Sequence, residues 1–232
     1  MQPGTPMQPS QRWLQDLLVT LLTAALLLAW DASSGDLAAA RAFGDASGFA
    51  LRDTWWASRL LHDGGRLLSW ALLAGLVLAA LRPGRSGQPS RAQRWRWIAV
   101  ILLCVVAVPA LKRSSLTSCP WDLAEFGGVA QHVSHWAWTL ADGGPGRCFP
   151  SGHAVAAFAF FGQYFLWRDH VPRRASAWLI TVLLVGTAYG GAQLVRGAHY
   201  PSHTLWSAWL CWLISVLASQ AMALHAARSK AV

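Results

Sequence analysis

Long apolar stretches, separated by short arginine-bearing segments, dominate the chain. Six read as helices: roughly Trp13–Trp30, Leu67–Leu81, Trp97–Leu111, Gly152–Trp167, Ala177–Val195 and Thr204–Leu224. Leu and Ala fill them, which suits helices better than strands. Several fall short of the ~20 residues that cross ~30 Å of hydrocarbon. Trp and Arg at their ends extend them into the interface by belting and snorkelling. Pro109 and Gly186, inside these stretches, are tolerated in a membrane span. Segment Ala50–His62 reads as an interfacial amphipathic helix, and His62-Asp63-Gly64-Gly65 as a turn before the second span. Pro3, Pro6 and Pro9 predict a disordered head. The expected organisation is a head at 1–12, one membrane domain at 13–224 and a tail at 225–232, with no internal repeat. The fold class is all-α, a six-span transmembrane bundle.

Composition supports a membrane domain. Only 12% of the 232 residues are charged and 54% are hydrophobic, against about 25% charged in an ordinary soluble domain. This excludes a disordered chain and a disulfide-dense mini-protein. The formal charge of +9 does not indicate nucleic acid, because the arginines lie in loops between apolar runs. They orient the spans instead. Residues 82–96 hold five Arg and no acid, whereas 31–66 hold four Arg and five Asp, and 112–150 hold three bases and three acids. With six spans, Arg12, the 82–96 loop, Arg168, Arg173, Arg174 and the basic tail share one side. Both termini are then cytoplasmic, and loops 31–66, 112–150 and 196–203 face a periplasm or the exterior. The first span reads as a retained signal-anchor in the inner or plasma membrane.

Polar groups at the edge of a span are costly and are candidates for function. Three such sites fall on the outward side: Lys112-Arg113, Pro150-Ser151-Gly152-His153, and the turn from Arg196 to His203. Together they suit an anion. Ser151, Gly152 and His153 open a helix, where free backbone N–H groups and the dipole favour negative charge. Lys112 and Arg196 add fixed positive charge. The histidines supply a nucleophile, an acid and an orienting partner. A phosphate ester is the natural ligand, and no carboxylate cluster suggests a dinuclear metal site. His132 and His135 carry no motif and read as loop or interface residues. Asp122 and Glu125 are expected to pair with Arg113 or Arg147. Cys104 and Cys211 read as small apolar core residues.

These residues resemble the type-2 phosphatidic acid phosphatase superfamily. Its three motifs are Lys, six residues, Arg-Pro; Pro-Ser-Gly-His; and Ser-Arg, five residues, His, three residues, Asp. The second is intact at 150–153. The first is present as Lys112, six residues, Cys119-Pro120; the third as His199 with its spacing. The resemblance covers roughly 67–224 and implies a core like that of acid phosphatases and vanadium haloperoxidases. Its departures are specific: Cys119 replaces the first-motif Arg, Ala192-Gln193 the Ser-Arg pair, and His203 the final Asp. Arg196, about one helical turn beyond Gln193, is a candidate for one missing charge, with Arg113 or Arg147 for the other. His203 is a candidate to accept the Nδ1 proton of His199.

The resemblance implies an integral-membrane phosphatase acting on a phosphomonoester or pyrophosphate of a lipid at the outer face. His199 attacks phosphorus, His153 protonates the leaving oxygen, and Lys112, Ser151, Gly152 and Arg196 hold the phosphoryl group. No metal or organic cofactor is implied; the expected partners are the lipid phosphate and the surrounding membrane lipids. A lipid phosphotransferase of the same fold and a non-catalytic lipid-phosphate binding or transport protein are the alternatives, with an intramembrane serine protease using Ser151 more distant. Cys119 and Cys148 share the outward loop, in a compartment that permits disulfides. Both lie beside the family's motif positions, and a Cys119–Cys148 bridge is expected.

Overall fold

The computed structural model describes residues 9–84 and 86–231. Pro3 and Pro6 of the expected head, and Arg85 of the basic loop, lie outside the described residues. Helix α1 spans Pro9–Asp31, followed by the short α2, Gly35–Arg41, and a hairpin of β1, Gly44–Asp45, with β2, Gly48–Phe49. A π-helical segment, Trp56–Gly64, runs into α3, Gly65–Leu81. Then come α4 (Arg91–Ser114), α5 (Val155–Phe158), α6 (Phe161–Trp167), α7 (Pro172–Val195) and α8 (Pro201–Ala231). Among the described residues the regular structure is helical apart from the two-residue strands β1 and β2, and a long loop at 115–154, with 3₁₀ turns at Pro120–Asp122 and Ala124–Phe126, joins α4 to α5.

Five helices are long and apolar enough to cross a membrane: Ser10–Asp31, Trp56–Leu81, Arg91–Ser114, Pro172–Val195 and Pro201–Ser229. The expected fourth span is not among them. The chain there forms α5 and α6, and the apolar piece runs only from Val155 to Trp167, about 20 Å at 1.5 Å per residue. Its surroundings explain its length. Phe158, Phe161, Gly162, Gln163, Phe165, Leu166 and Trp167 are all buried, because α3, α4, α7 and α8 pack around this segment. A helix enclosed by protein has no hydrocarbon thickness to match. The outer helices instead expose Leu18, Leu22, Leu78, Leu103, Leu184 and Leu217.

Other boundaries also moved. Ala50–His62 is not a separate interfacial helix, and His62-Asp63-Gly64-Gly65 is not a turn: from Trp56 onward the chain is helical and continuous with α3. Gly64 ends the π-helical segment and Gly65 opens α3. Helix α1 already includes Pro9, inside the expected head. Helix α8 continues through the expected tail to Ala231, where Ala-rich sequence offers no breaker.

The core centres on Phe158, Phe160 and Phe161, packed against Leu73, Ile98, Ile101, Val108 and Val182. Cys104 and Cys211 are fully buried within it as free thiols. At the far end from the candidate motifs, a capping box of Ser90 and Gln93 starts α4. There Arg94 Nη1 donates to Ala79 O of α3 at 2.7 Å, and Arg168 pairs with Asp16 at 2.7 Å.

Candidate active site

Between α7 and α8 the chain makes a tight turn. Gly197 has φ +70°, and a Cβ there would lie 2.3 Å from the Phe49 ring; left-handed backbone and close approach together require glycine. The amides of Gly197 and Ala198 donate back to Leu194 O and Gln193 O, each at 2.9 Å. This closure points His199 inward, with only 4% of it exposed. Its Nδ1 lies 3.5 Å from His203 Nδ1 and 3.4 Å from Cys148 Sγ. Nε2 is thus the nitrogen left for other chemistry. His203, in the first turn of α8, is buried. That turn is capped from α2: Asp36 Oδ1 accepts from the Ser202 amide at 3.0 Å, and Oδ2 from the Ser202 hydroxyl.

Cys119 and Cys148 form a disulfide, with Cα atoms 5.1 Å apart. It tethers the end of the Lys112 segment to the start of Pro150-Ser151-Gly152-His153. This segment is also tied to α8. The Ser151 amide donates to His203 O at 3.0 Å, and the Ser207 hydroxyl to Ser151 O at 2.8 Å. A Cβ on Gly152 would lie 3.6 Å from Lys112 Cδ, so the lysine stem runs over Gly152. His153 stacks on His62 with ring centroids 4.0 Å apart and planes 7° from parallel. Its Nε2 is 3.0 Å from the His62 carbonyl. A carbonyl only accepts, so that nitrogen carries a proton and Nδ1 is the free position.

The electrostatics follow from burial and positive neighbours. Burial, then Lys112, His203 and His153, push His199 well below the usual imidazole range; the Cys148 carbonyl opposes them. Burial pushes His153 down to about 4, aided by His62, Arg196 and Arg66. No carboxylate is among the groups acting on either ring. Both are neutral near pH 7, beside the Lys112 ammonium. Such a cluster suits an anion, whose charge favours protonation of an adjacent ring such as His153.

Arg196 donates through Nε to Arg52 O at 2.9 Å, and its Nη1 lies 3.5 Å from Gln193 Oε1. Its charge reaches His153 from this anchored position. Arg113 and Arg147 are exposed. The expected pairing of Asp122 and Glu125 with them does not form: Glu125 binds Arg41 at 2.5 Å, and Asp122 accepts from Trp121 Nε1 at 3.0 Å. Glu125 thus reaches α2, whereas Asp122 closes its own turn, accepting also from the Cys119 amide at 3.3 Å. Sequence reasoning missed His62 and Arg66. Arg66 lines a groove of about 160 Å³ that passes Gly152, Trp70, Ile101, Val105 and Pro109 between α3, α4 and α5. The basic residue at the mouth of the second span was the available signal.

Two groups of potential metal ligands occur among the described residues. Cys119, Cys148 and His199 form one, but the disulfide removes both thiolates. Asp31, Asp36 and His135 form the other, outside the phosphate-directed cluster. In comparison with known proteins, the family model of the PAP2 superfamily matches residues 93–226. No curated protein and no solved structure gives a significant match.

Proposed function

We propose, from the premise that this chain belongs to the PAP2 superfamily, that its phosphatase- or phosphotransferase-type chemistry is hydrolysis of a lipid phosphate through a phosphohistidine. The observation that carries this reading is the convergence on His199 of Lys112, His153 and His203. They come from three separate parts of the chain, and no carboxylate opposes them.

His199 Nε2 attacks phosphorus while Nδ1 is held toward His203. A P–N bond forms and the P–O bond to the lipid breaks. The departing oxygen takes a proton from Nδ1 of His153, whose pKa the bound phosphate dianion has raised. Water then attacks the phosphohistidine: the P–N bond breaks, and the water proton passes to His153. Lys112, Arg196, Ser151 and the Gly152 amide hold the equatorial oxygens as charge redistributes. Arg66 supplies a further cation outside the three motifs.

A lipid substrate is supported by five apolar helices of spanning length and by the groove beside Gly152. Its walls include Leu73, Ile101 and Val105, and Arg66 stands among them. A headgroup phosphate at Gly152 would leave an acyl or isoprenoid chain along that wall. Phosphate release by the purified protein from a panel of lipid phosphates, with and without chelator, tests the reading. Turnover that disappears in His199→Ala is expected. Stoichiometric binding of lipid phosphates with neither release nor transfer of phosphate would overturn it in favour of a binding protein.

A further inference from the structure

We infer that the cavity walled by α1, α2 and the loop at 117–142 binds a divalent transition-metal cation of the Zn²⁺ type, held by Asp31, Asp36 and His135. This cavity, of about 190 Å³, also has Asp142, Tyr200 and His203 in its walls. Three of its residues are carboxylates and none is Lys or Arg, in a chain of net charge +9. One ligand atom from each of Asp31, Asp36 and His135 lies within 4.8 Å of the others.

The hydrogen bonds show where a cation is needed. Asp31 has a side chain only 5% exposed. Its Oδ2 accepts from Trp206 Nε1 at 2.7 Å and Trp136 Nε1 at 2.9 Å, and lies 3.3 Å from His135 Nε2. Its Oδ1 is buried with no partner among the described residues. The hydroxyl of Tyr200, itself 5% exposed, is likewise buried and unpartnered. A carboxylate oxygen buried without a donor is costly. The other two carboxylates of the cavity already have donors. Asp142 accepts from Ser118 and Gly144. Asp36 caps α8 and accepts from Trp30 Nε1 at 2.8 Å. Its Oδ2, bonded only to the Ser202 hydroxyl, keeps lone pairs for a metal. One imidazole with two carboxylates, completed by water, is a donor set that Zn²⁺ accepts.

The cation would clamp the 130s loop to the end of α1 and to α2. His135 stacks on Phe149 at 4.0 Å and meets His203 edge-on at 5.5 Å. The ion thus sits behind the residues that position His199, and no phosphoryl step passes through it. This inference does not rest on the hydrolase reading.

The test uses the purified full-length protein, stripped with chelator and titrated with Zn²⁺ by calorimetry and by thermal unfolding. One Zn²⁺ per chain and a raised midpoint are expected. Asp31→Asn and His135→Gln should each weaken binding by at least about tenfold, while His199→Ala binds as the parent does. X-ray absorption of the parent protein keeps the proposal testable if a variant fails to fold: one imidazole with oxygen donors at about 2.0–2.2 Å is expected. No stoichiometric uptake by the folded, stripped protein would overturn it. So would unchanged affinity in both cavity variants, loss of binding in His199→Ala, or a shell rich in sulfur or imidazole.

Discussion

His203 stands where the family has an orienting carboxylate, and its Nδ1 lies 3.5 Å from that of His199. In the proposed mechanism a neutral imidazole there would accept the Nδ1 proton of His199 and leave Nε2 to attack, without a negative charge to stabilise the reacting ring. His203→Ala should therefore lower kcat, and His203→Asp should recover more of it than alanine does. Steady-state kinetics on one lipid phosphate decides this; equal rates for the two variants would remove His203 from the mechanism. His153→Ala should cost about 10²–10⁴-fold, and less for substrates with acidic leaving groups. The depressed pKa of His153 also has a stability consequence. Its folded value of about 4 lies below the ordinary 6.5, so the unfolded chain binds the extra proton first. The stabilisation is complete above pH 6.5 and is lost as pH falls toward 4. His199 adds to it with the same sign. Thermal unfolding across that range should show the loss, His153→Gln should flatten it, and bound vanadate should oppose it. At this scale much was legible: Lys112, Ser151, Gly152, His153, His199 and His203 come together from motif spacing alone. His62 and Arg66 were not, because a π-helical start to α3 brings them to the site, and no local pattern announces that register.

At the level of elements, the apolar runs located the helices, while packing determined what became of them. The run at 152–167 is apolar enough to read as a span, yet it forms the shorter α5 and α6, enclosed by the rest of the bundle. Hydropathy cannot distinguish a lipid-facing span from a helix buried in protein, since both are apolar all round. Small residues let the outer helices close on it. A Cβ at Gly186 would lie 2.2 Å from the Phe158 ring, so Gly186→Ala must push α7 away from α5. Overpacking of this kind costs about 1–3 kcal/mol. The thermal midpoint in detergent should fall, whereas Gly75→Ala, which meets nothing within 4 Å, should leave it unchanged or raise it. The Cys119–Cys148 bridge acts between elements too. Its sequence separation of 29 corresponds to about 3–4 kcal/mol in the chain-entropy model. Reduction should lower the midpoint and weaken activity together, because the loop it closes joins the Lys112 segment to Pro150. Activity that survives full reduction would confine the bridge to a stabilising role.

For the molecule as a whole, the decisive question is which end faces the cytoplasm. Lys112, His153 and His199 gather at one end of the bundle, beside the disulfide. Arg12, Arg94, Arg168, Arg173 and Arg174 mark the other: Arg94 caps α3 there, Arg12 pairs with Asp169, and Arg168 pairs with Asp16. Although α5 and α6 fall short of spanning length, they still carry the chain from the site end to the arginine end, which restores the alternation that a sixth span would have given. Two physical signals then agree on orientation. Arginine-rich loops favour the cytoplasm, and a disulfide favours an oxidising compartment; each is an argument for the proposed outer-face site, which fusions test. Reporter fusions after residue 90, after residue 171 and at the C-terminus should read cytoplasmic, and fusions near residues 45 and 140 should read exported. The two signals can be separated experimentally. If the fusion near 140 reads cytoplasmic, Cys119 and Cys148 should be alkylatable in cells, and the outer-face substrate assignment fails with them. If it reads exported, both cysteines should resist alkylation until reductant is added, and an externally supplied lipid phosphate should be hydrolysed by intact cells.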